Sequence, residues 1–486
     1  MEVPEGDEIV RFQHVIDASR IAAGGLKDLA TGFVNPTLRL GVTGLSKSGK
    51  TIFITALIHA LTKGTRLPVF EAYAQGRITR AYLEPQPDDD LPRFAYEDHL
   101  QHLTSKDRSW PESTRRISQL RLTLEYEPRG LIARNFQSGK LHIDIIDYPG
   151  EWLLDLPLMN MTYRQWSEAT IAASHVEPRA SLAKSWHSHL ATLDASSVTK
   201  ELEAVKAAEL FTAYLAKCRE DDVALSSLLP GRFLMPGDFA GSPLLTFAPL
   251  NAKAEKEFPK GSLGDLMERR YDSYVSKIVR PFFFNHFARL DRQIVLVDVL
   301  SALNAGPAAV QDLKTALTQV MACFRFGANS VFSKMLGRRI DRILFAATKT
   351  DLLHQTSHDR LENILRLIIE DARKQAEFSG ATIDVAALAA IRATREAKVK
   401  QKNEELYCIA GIPQRGERIG NTMFDGESEA AIFPGDLPAN SPDALDGTML
   451  GKLKFVRFRP PPLKDDAFPH IRLDRSLEFL LGDRFA

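Results

Sequence analysis

The chain has 486 residues, enough for about three domains at roughly 150 residues each. Hydrophobic residues make up 44% and charged residues 26%, which excludes a chain that is disordered throughout. Lys+Arg and Asp+Glu both number 62, so the formal net charge is 62 − 62 = 0. That balance argues against bulk electrostatic binding to polyanions, and no nucleic-acid partner is expected.

Cysteine spacing and the N-terminus favour a cytoplasmic protein. The cysteines Cys218, Cys323 and Cys408 form no CxxC or Cys/His spacing, so we expect neither a disulfide framework nor a zinc site. The start, MEVPEGDEIV, is acidic where a signal peptide would be basic. Residues 1–36 form a first unit whose residues 11–33 have helical spacing. We favour a helix that docks on the body; its balanced charges do not support the alternative, peripheral contact with a membrane.

Strand-like segments then alternate with helical ones. The clearest strands are residues 37–43, 120–126, 141–147, 293–300 and 342–348, with an ambiguous sixth at 382–393. Residues 156–290 are mainly helical, for example 198–215, and residues 412–486 are loop-rich, with a strand at 452–458 and a helix at 473–481. The pattern predicts an α/β parallel-sheet domain in two parts, 37–155 and 291–411. A helical insertion (156–290) separates the parts, and an extension (412–486) packs on them. The strand that ends at Asp147 and the strand 293–300 are expected to be neighbours.

The strongest motif is GLSKSGKT, residues 44–51, which matches GxxxxGK[ST] between a predicted strand and a predicted helix. Glycines let successive backbone N–H groups turn inward toward phosphate, and the helix N-terminus adds a positive dipole end. Lys50 would reach the β- and γ-phosphates, and Thr51 would offer its hydroxyl to Mg²⁺. The nucleotide-binding residues predicted here are Gly44, Ser46, Lys47, Ser48, Gly49, Lys50, Thr51 and Ile52.

Two further motifs follow at strand ends. Asp147 and Gly150 form a DxxG after an apolar strand; the carboxylate would hold Mg²⁺ through water, and the Gly150 N–H would meet the γ-phosphate. Thr348, Lys349 and Asp351 fit [NT]KxD. An aspartate there can accept two hydrogen bonds from guanine, whereas adenine has no such donor pair. After the sixth strand, Ala393 and Thr394 would place a backbone N–H at the guanine O6 atom.

The order of these motifs resembles a Ras-like GTP-binding domain. The runs GLSKSGKT, DYPGEWLLDLP, RQIVLVDVL, LFAATKTD and PHIRLDRSLEFLLGD closely resemble the bacterial YcjX family of P-loop GTP-binding proteins, from about residue 38 to the C-terminus. The resemblance implies a Ras-like P-loop fold with helical insertions, GTP or GDP as ligand, and an association with bacterial stress responses. It also implies a switch I threonine, for which Thr114 fits, as a Mg²⁺ ligand. Arg115 or Arg116 could act as an arginine finger in cis, although solvated surface arginines are the favoured alternative.

Two residues depart from the common Ras pattern. Glu151 follows the DxxG, where many GTPases carry Gln or His to orient the attacking water. Because phosphate would repel its carboxylate, we expect slow hydrolysis, with Glu151 as a candidate for positioning water. Lys47 stands where some GTPases bind K⁺ through an asparagine; its ammonium could replace that ion, or it could simply be solvated.

The sequence therefore predicts a Mg²⁺-dependent GTPase that acts as a nucleotide-controlled switch with an unidentified protein effector. Lys50, Thr114, Gly150 and Glu151 would form the catalytic set, and Thr51, Thr114 and Asp147 the metal site. The moving segments would be residues 110–116 and 150–158. A GTP-binding scaffold with negligible turnover and, less favoured, an ATP-dependent enzyme remain as alternatives.

Overall fold

The computed structural model describes residues 36–45, 47–112, 116–129, 139–220, 223–251, 257–323, 340–378, 380–401, 404–437 and 453–485. The helix predicted over residues 11–33 lies outside these ranges. Within them, no helix has the length and apolar character needed to cross a bilayer.

A mixed seven-stranded sheet forms the centre of the molecule. Its strands are β1 (Thr37–Gly44), β2 (Ile78–Glu84), β3 (Ser118–Tyr126), β4 (Gly139–Asp147), β5 (Arg292–Val297), β6 (Arg342–Ala347) and β7 (Thr382–Ala387). They lie in the order β2-β3-β4-β1-β5-β6-β7. The run from β4 to β7 is parallel, whereas β2 and β3 are antiparallel at one edge. The predicted α/β class is confirmed.

The six predicted strands are present, but some of their limits and neighbours differ. β5 ends at Val297 because Asp298 caps a helix, accepting a hydrogen bond from the Ser301 N–H at 3.1 Å. β7 ends at Ala387, six residues before the predicted end at 393. The expected pairing of the strand that ends at Asp147 with β5 is wrong, because β1 lies between them. The partly exposed edge strand β2 is not predicted by the sequence pattern.

Helices cover both faces of the sheet. They are α1 (Lys50–Lys63), α2 (Glu71–Ala74), α3 (Tyr96–Thr104), α4 (Tyr163–Ser174), α5 (Arg179–Leu182), α6 (Lys184–Leu190), α7 (Glu201–Cys218), α8 (Leu263–Tyr274), α9 (Arg280–Asn285), α10 (Val299–Ala305), α11 (Pro307–Ala322), α12 (His358–Ile368), α13 (Glu370–Phe378) and α14 (Leu473–Leu481). A 3₁₀ helix, Gly150–Asn160, precedes α4, and a π-helical segment, Val275–Val279, joins α8 to α9.

Alternate residues of β5, β6 and β7 enter different cores, as the two-residue period of a strand requires. Ile294 and Leu296 of β5 pack with α1 and α14, whereas Val295 and Val297 pack with α10 to α13. The position of α14 agrees with the helix predicted over residues 473–481. This helix completes the layer that also contains α1.

Helices and turns build a third core between β4 and β5. At its centre, the ring of Trp166 lies 5.8 Å from that of Phe211 in an edge-on arrangement. The same core takes in Tyr148, just after β4, and Val320 of α11. Because one continuous core joins the inserted helices to the end of the sheet, the insertion cannot move without disturbing residues near the strand ends.

The C-terminal part adds structure that the sequence pattern does not predict. β8 (Arg395–Gln401), β9 (Glu404–Gly411) and β12 (Ala430–Ile432) form a small antiparallel sheet. β10 (Arg418–Ile419) and β11 (Thr422–Met423) pair as a short hairpin. Of the strand predicted over 452–458, the described residues make one isolated bridge, between Phe458 and Pro413.

Candidate functional site

The loop between β1 and α1 lies at the carboxyl end of the parallel strands. Gly44 has a φ of 153°, and a Cβ there would lie 2.4 Å from the Leu296 carbonyl oxygen and 2.5 Å from the Ser48 hydroxyl oxygen. Gly49, with a φ of 89°, precedes α1 without a side-chain cap. Among the described residues, the buried Ser48 hydroxyl has no hydrogen-bond partner. This tight loop, with the first-turn amides of α1, fits a bound phosphate group.

Lys50 crosses this loop from the first turn of α1. Its ammonium donates hydrogen bonds to the carbonyl oxygens of Gly44 at 3.0 Å and Leu45 at 3.4 Å. Burial lowers the pKa of Lys50, and the nearby carboxylates of Glu151 and Asp147 oppose that shift. A buried ammonium that donates hydrogen bonds to loop carbonyls can donate instead to phosphate oxygens, which are stronger acceptors.

Two oxygen donors suited to a divalent cation lie beside the loop. Asp147, the last residue of β4, pairs in register with Val42 of β1 and is 1% exposed. Thr51 follows Lys50 in α1 and is 6% exposed. A carboxylate and a hydroxyl are hard oxygen ligands of the kind that Mg²⁺ prefers, with phosphate oxygens and water completing its shell. The donor set therefore fits Mg²⁺ on a phosphate chain.

The segment after β4 closes directly over the loop. A Cβ on Gly150 would lie 1.9 Å from the Gly44 carbonyl oxygen, so only glycine fits at this contact. The next residue, Glu151, is 4% exposed, and its carboxylate accepts a hydrogen bond from Arg219 Nη1 at 3.1 Å. Arg219 follows α7, so the inserted helices supply a cation to the residue after the DxxG motif.

A second contact between the insertion and the 3₁₀ helix is buried. Asp155 accepts hydrogen bonds from the Gly231 N–H at 2.7 Å, Arg232 Nη1 at 3.2 Å and the Tyr274 hydroxyl at 2.7 Å. The Arg232 guanidinium also lies 4.0 Å from the ring centroid of Trp152. Burial raises the pKa of Asp155, and the Arg232 charge opposes that shift. These contacts fix the segment that carries Glu151 to the inserted helices.

The other end of the candidate site follows β6 and β7. Asp351 is 7% exposed, and its Oδ2 accepts a hydrogen bond from the Ala393 N–H at 2.9 Å. The Thr394 hydroxyl donates to the Asp351 carbonyl oxygen. Burial raises the pKa of Asp351 to about 6, opposed by the Ala393 N–H. Three predicted base-binding residues thus lie together, with a buried carboxylate acceptor beside a backbone donor.

The remaining TKxD residues are held by β5 and its cap. The Thr348 N–H donates to the Val297 carbonyl oxygen at 3.0 Å. Lys349 adopts a left-handed φ of 59°, and its ammonium pairs with the carboxylate of Asp298. Asp298 could have been noticed in the sequence as the acidic residue in RQIVLVDVL, but the strand predicted through residue 300 concealed its position at a strand end.

For some predicted residues the structure gives no contact that bears on their predicted role. Ser46, Thr114 and Arg115 lie outside the described residues. Lys47 is an exposed loop residue with a φ of 58°, and Ile52 lies in the first turn of α1. The roles of these residues stay predictions.

The other candidate cis arginine, Arg116, pairs with Asp238 at 3.2 Å, and both side chains are mostly exposed. Arg219, which contacts Glu151, is instead the arginine that the insertion brings to the phosphate end. No local motif marks Arg219, because its partner lies 68 positions away in the sequence.

The sheet, the glycine-rich loop before α1 and the acidic strand end beside it define an α/β protein of the P-loop NTPase class. The chain belongs to the YcjX-like family: the family model described as "YcjX-like family, DUF463" matches residues 38–485.

Two relatives match over nearly their whole length. The chain is 36% identical over 474 residues to "Ras-like GTPase YcjX" of Escherichia coli (strain K12), covering 94% of this chain and 98% of the relative. It is 34% identical over 473 residues to "Ras-like GTPase YcjX" of Shewanella oneidensis (strain ATCC 700550 / JCM 31522 / CIP 106686 / LMG 19005 / NCIMB 14063 / MR-1), covering 92% of this chain and 94% of the relative.

Proposed function

We propose that this protein binds GTP with Mg²⁺, hydrolyses it to GDP and phosphate, and uses the nucleotide as a conformational switch. The observation that carries the proposal is the pairing of a phosphate loop with a buried acceptor and donor for a base. Lys50 lies at one end of the candidate site, and Asp351 lies beside the Ala393 N–H at the other. The names of both relatives, which call them GTPases, support the same activity.

Selection of guanine would depend on the base end. The guanine N1–H and 2-amino group can both donate to the ionised carboxylate of Asp351, and the Ala393 N–H can turn from that carboxylate to the O6 atom. Adenine offers no matching pair of donors. Lys349, held by Asp298, would lie along the base, and Thr348 and Thr394 would keep the loops in place.

Hydrolysis would depend on positioning and charge. Lys50 would donate to the β- and γ-phosphate oxygens, and the loop amides would add further donors. Thr51, Thr114 and, through water, Asp147 would hold Mg²⁺, which neutralises charge on the phosphates when bound. Glu151 is a carboxylate where phosphate repels negative charge, so we expect the intrinsic rate to be slow.

Switching would run through the segment after β4. Gly150 contacts the phosphate loop, and the same segment is held by the insertion through Glu151 and Asp155. Loss of the γ-phosphate would release residues 110–116 and 150–158 and shift the inserted helices toward or away from an effector protein. A role in bacterial stress responses rests on the family resemblance, and a cytoplasmic location rests on the cysteine spacing and the acidic start of the sequence.

The base selection is tested by measuring nucleotide affinity for wild type and Asp351→Asn. Wild type should bind GTP at least about 100-fold more tightly than ATP, because an unmatched buried polar group costs roughly 1–3 kcal/mol or more. The amide of Asn can donate to the 2-oxo group of xanthine. The variant should therefore bind GTP more weakly and xanthosine triphosphate more tightly than wild type does. Equal binding of GTP and ATP by wild type would overturn the guanine assignment.

Asp359→Asn is a matched control for that substitution. Asp359 is eight positions away (359 − 351), and its side chain is 85% exposed and paired with Arg472. This variant should keep the nucleotide preference of wild type. Single-turnover assays with GTP then separate the switch from a GTP-binding scaffold, which would bind GTP tightly without cleaving it.

A further inference from the structure

The position of Glu151 poses a charge problem at the phosphate end. Its carboxylate is buried, and it follows Gly150, whose backbone touches the phosphate loop. A nucleoside triphosphate bound on that loop would bring several more negative charges close to it. A cation beside the carboxylate would offset the repulsion between it and such a ligand.

Arg219 is positioned to be that cation. Its Nη1 lies 3.1 Å from Glu151 Oε1, and its side chain is 31% exposed while that of Glu151 is 5% exposed. The shared hydrogen bond is charge-assisted, which makes it stronger than a bond between neutral groups. Arg219 belongs to the insertion, whereas Glu151 belongs to the segment that would respond to the γ-phosphate.

The insertion holds Arg219 in place through its own structure. The arginine caps α7, whose buried face includes Phe211 and Cys218, and its N–H donates to the Ala216 carbonyl oxygen at 3.1 Å. The position is therefore set by a packed helix rather than by a free loop.

Asp312 of α11 fixes the chain at residues 226–227, after Arg219. Asp312 accepts hydrogen bonds from the Ser226 N–H at 2.6 Å, the Ser227 N–H at 2.7 Å and Arg179 Nη2 at 2.7 Å. Farther along, Gly231 packs so closely on Glu151 that a Cβ there would lie 1.7 Å from the Glu151 carbonyl oxygen. The insertion thus contacts Glu151 twice, through the Arg219 side chain and through the Gly231 backbone.

We propose that Arg219 is a positioning residue for hydrolysis, which it serves by holding the Glu151 carboxylate beside the terminal phosphate and offsetting its charge. Glu151 then accepts a hydrogen bond from the attacking water. The water oxygen bonds to the γ-phosphorus as the bond from that phosphorus to the β–γ bridging oxygen breaks. The electron pair leaves with GDP, and the water protons end on inorganic phosphate and solvent. The inference rests on the proposed function and makes turnover depend on a docked insertion.

The test is a double-mutant cycle on single-turnover hydrolysis of Mg²⁺–GTP by the full chain. Arg219→Ala and Glu151→Ala should each slow cleavage at least about tenfold while changing GTP affinity less than about threefold. If Arg219 acts through Glu151, the double variant should be no slower than the slower single variant. An unchanged rate for Arg219→Ala, or losses that multiply in the double variant, would overturn the proposal.

Arg219→Lys distinguishes positioning from a general loss of structure. A lysine retains the charge and should recover part of the rate, whereas equal losses for Ala and Lys with unchanged thermal stability contradict the charge argument. Arg270→Ala is the matched control, since Arg270 also belongs to the insertion but pairs at 2.7 Å with Glu201, whose side chain is 59% exposed. This variant should hydrolyse GTP at the wild-type rate.

The same assay separates failure of this inference from failure of the proposed function. Wild type that neither binds nor cleaves GTP would refute the proposed function, and the inference with it. Wild type that cleaves GTP, together with an Arg219→Ala variant that cleaves it equally fast, would refute only the inference.

Discussion

The two ends of the candidate site are held in different ways. At the phosphate end, two arginines of the insertion form ion pairs with the segment after β4: Arg219 with Glu151, and Arg232 with Asp155. At the base end, Asp351 is held by the backbone N–H of Ala393, on the loop after the neighbouring strand β7. In the proposed function, base selection would therefore stay fixed while hydrolysis responds to the position of the inserted helices.

The largest effect should come from breaking the buried contact at the phosphate end. Asp155→Ala would leave the buried Arg232 guanidinium and the Tyr274 hydroxyl without their acceptor. We expect a loss of about 3–5 kcal/mol in the free energy of unfolding, measured by urea denaturation. Asp155→Asn, which keeps the shape and one acceptor, should lose less; a loss equal to that of Asp155→Ala would mean that the carboxylate charge accounts for the whole effect.

Removing the ammonium from the phosphate loop should weaken every nucleotide alike. Lys50→Ala should reduce affinity for Mg²⁺–GTP by about 100-fold, because charge-assisted hydrogen bonds to phosphate are worth roughly 1.5–3 kcal/mol. Calorimetric titration of wild type and variant with GTP and with ATP measures the loss of affinity. Lys63→Ala, at the other end of α1 with an exposed side chain, should leave both affinities unchanged. A loss confined to GTP would contradict a role at the phosphates.

The base end should be distinguished by its pH dependence. In the proposed function, guanine binding uses the ionised form of Asp351, whose pKa is raised to about 6. Lowering the pH from about 7 to 5 should therefore weaken GTP binding about tenfold, as protonation removes the acceptor. ATP binding to wild type involves the same phosphates but would not use this carboxyl, so the difference between the two titrations isolates Asp351. Parallel titrations would contradict the assignment.

The same pKa gives a sign for stability. Because the folded-state pKa of Asp351 lies above the ordinary value of 3.8, the folded protein binds more protons than the unfolded chain between about pH 4 and 6. The contribution of this carboxyl to the free energy of unfolding should therefore rise as pH falls through that window. Denaturation of wild type and Asp351→Asn across the window should show the difference.

The smallest effect should come from the exposed ion pair between the segment before β3 and the insertion. Arg116 and Asp238 form an ion pair whose side chains are 64% and 69% exposed. Asp238→Ala should change the free energy of unfolding by less than about 1 kcal/mol and leave single-turnover hydrolysis unchanged. A large loss of hydrolysis rate would instead support Arg116 as the arginine finger in cis.

The sequence predicted much of the sheet because strand propensity and motif position are local properties. β1, β4 and β6 follow from short apolar runs that end in GLSKSGKT, DYPG and TKTD. The edge strand β2 escaped prediction because its residues are only partly buried and carry no alternating pattern. β5 was predicted too long because Asp298 lies inside an apolar run, although it caps a helix.

What the sequence determined by itself is the phosphate loop, the acidic strand end and the TKxD segment, since each is a contiguous run whose chemistry depends on neighbouring residues. Tertiary structure decided which polar side chains from distant segments contact these regions. Arg219 and Glu151 are 68 positions apart, Tyr274 and Asp155 are 119 apart, and Lys349 and Asp298 are 51 apart. Such pairs form only when packed helices and parallel strands bring distant segments together, so no local pattern can specify them.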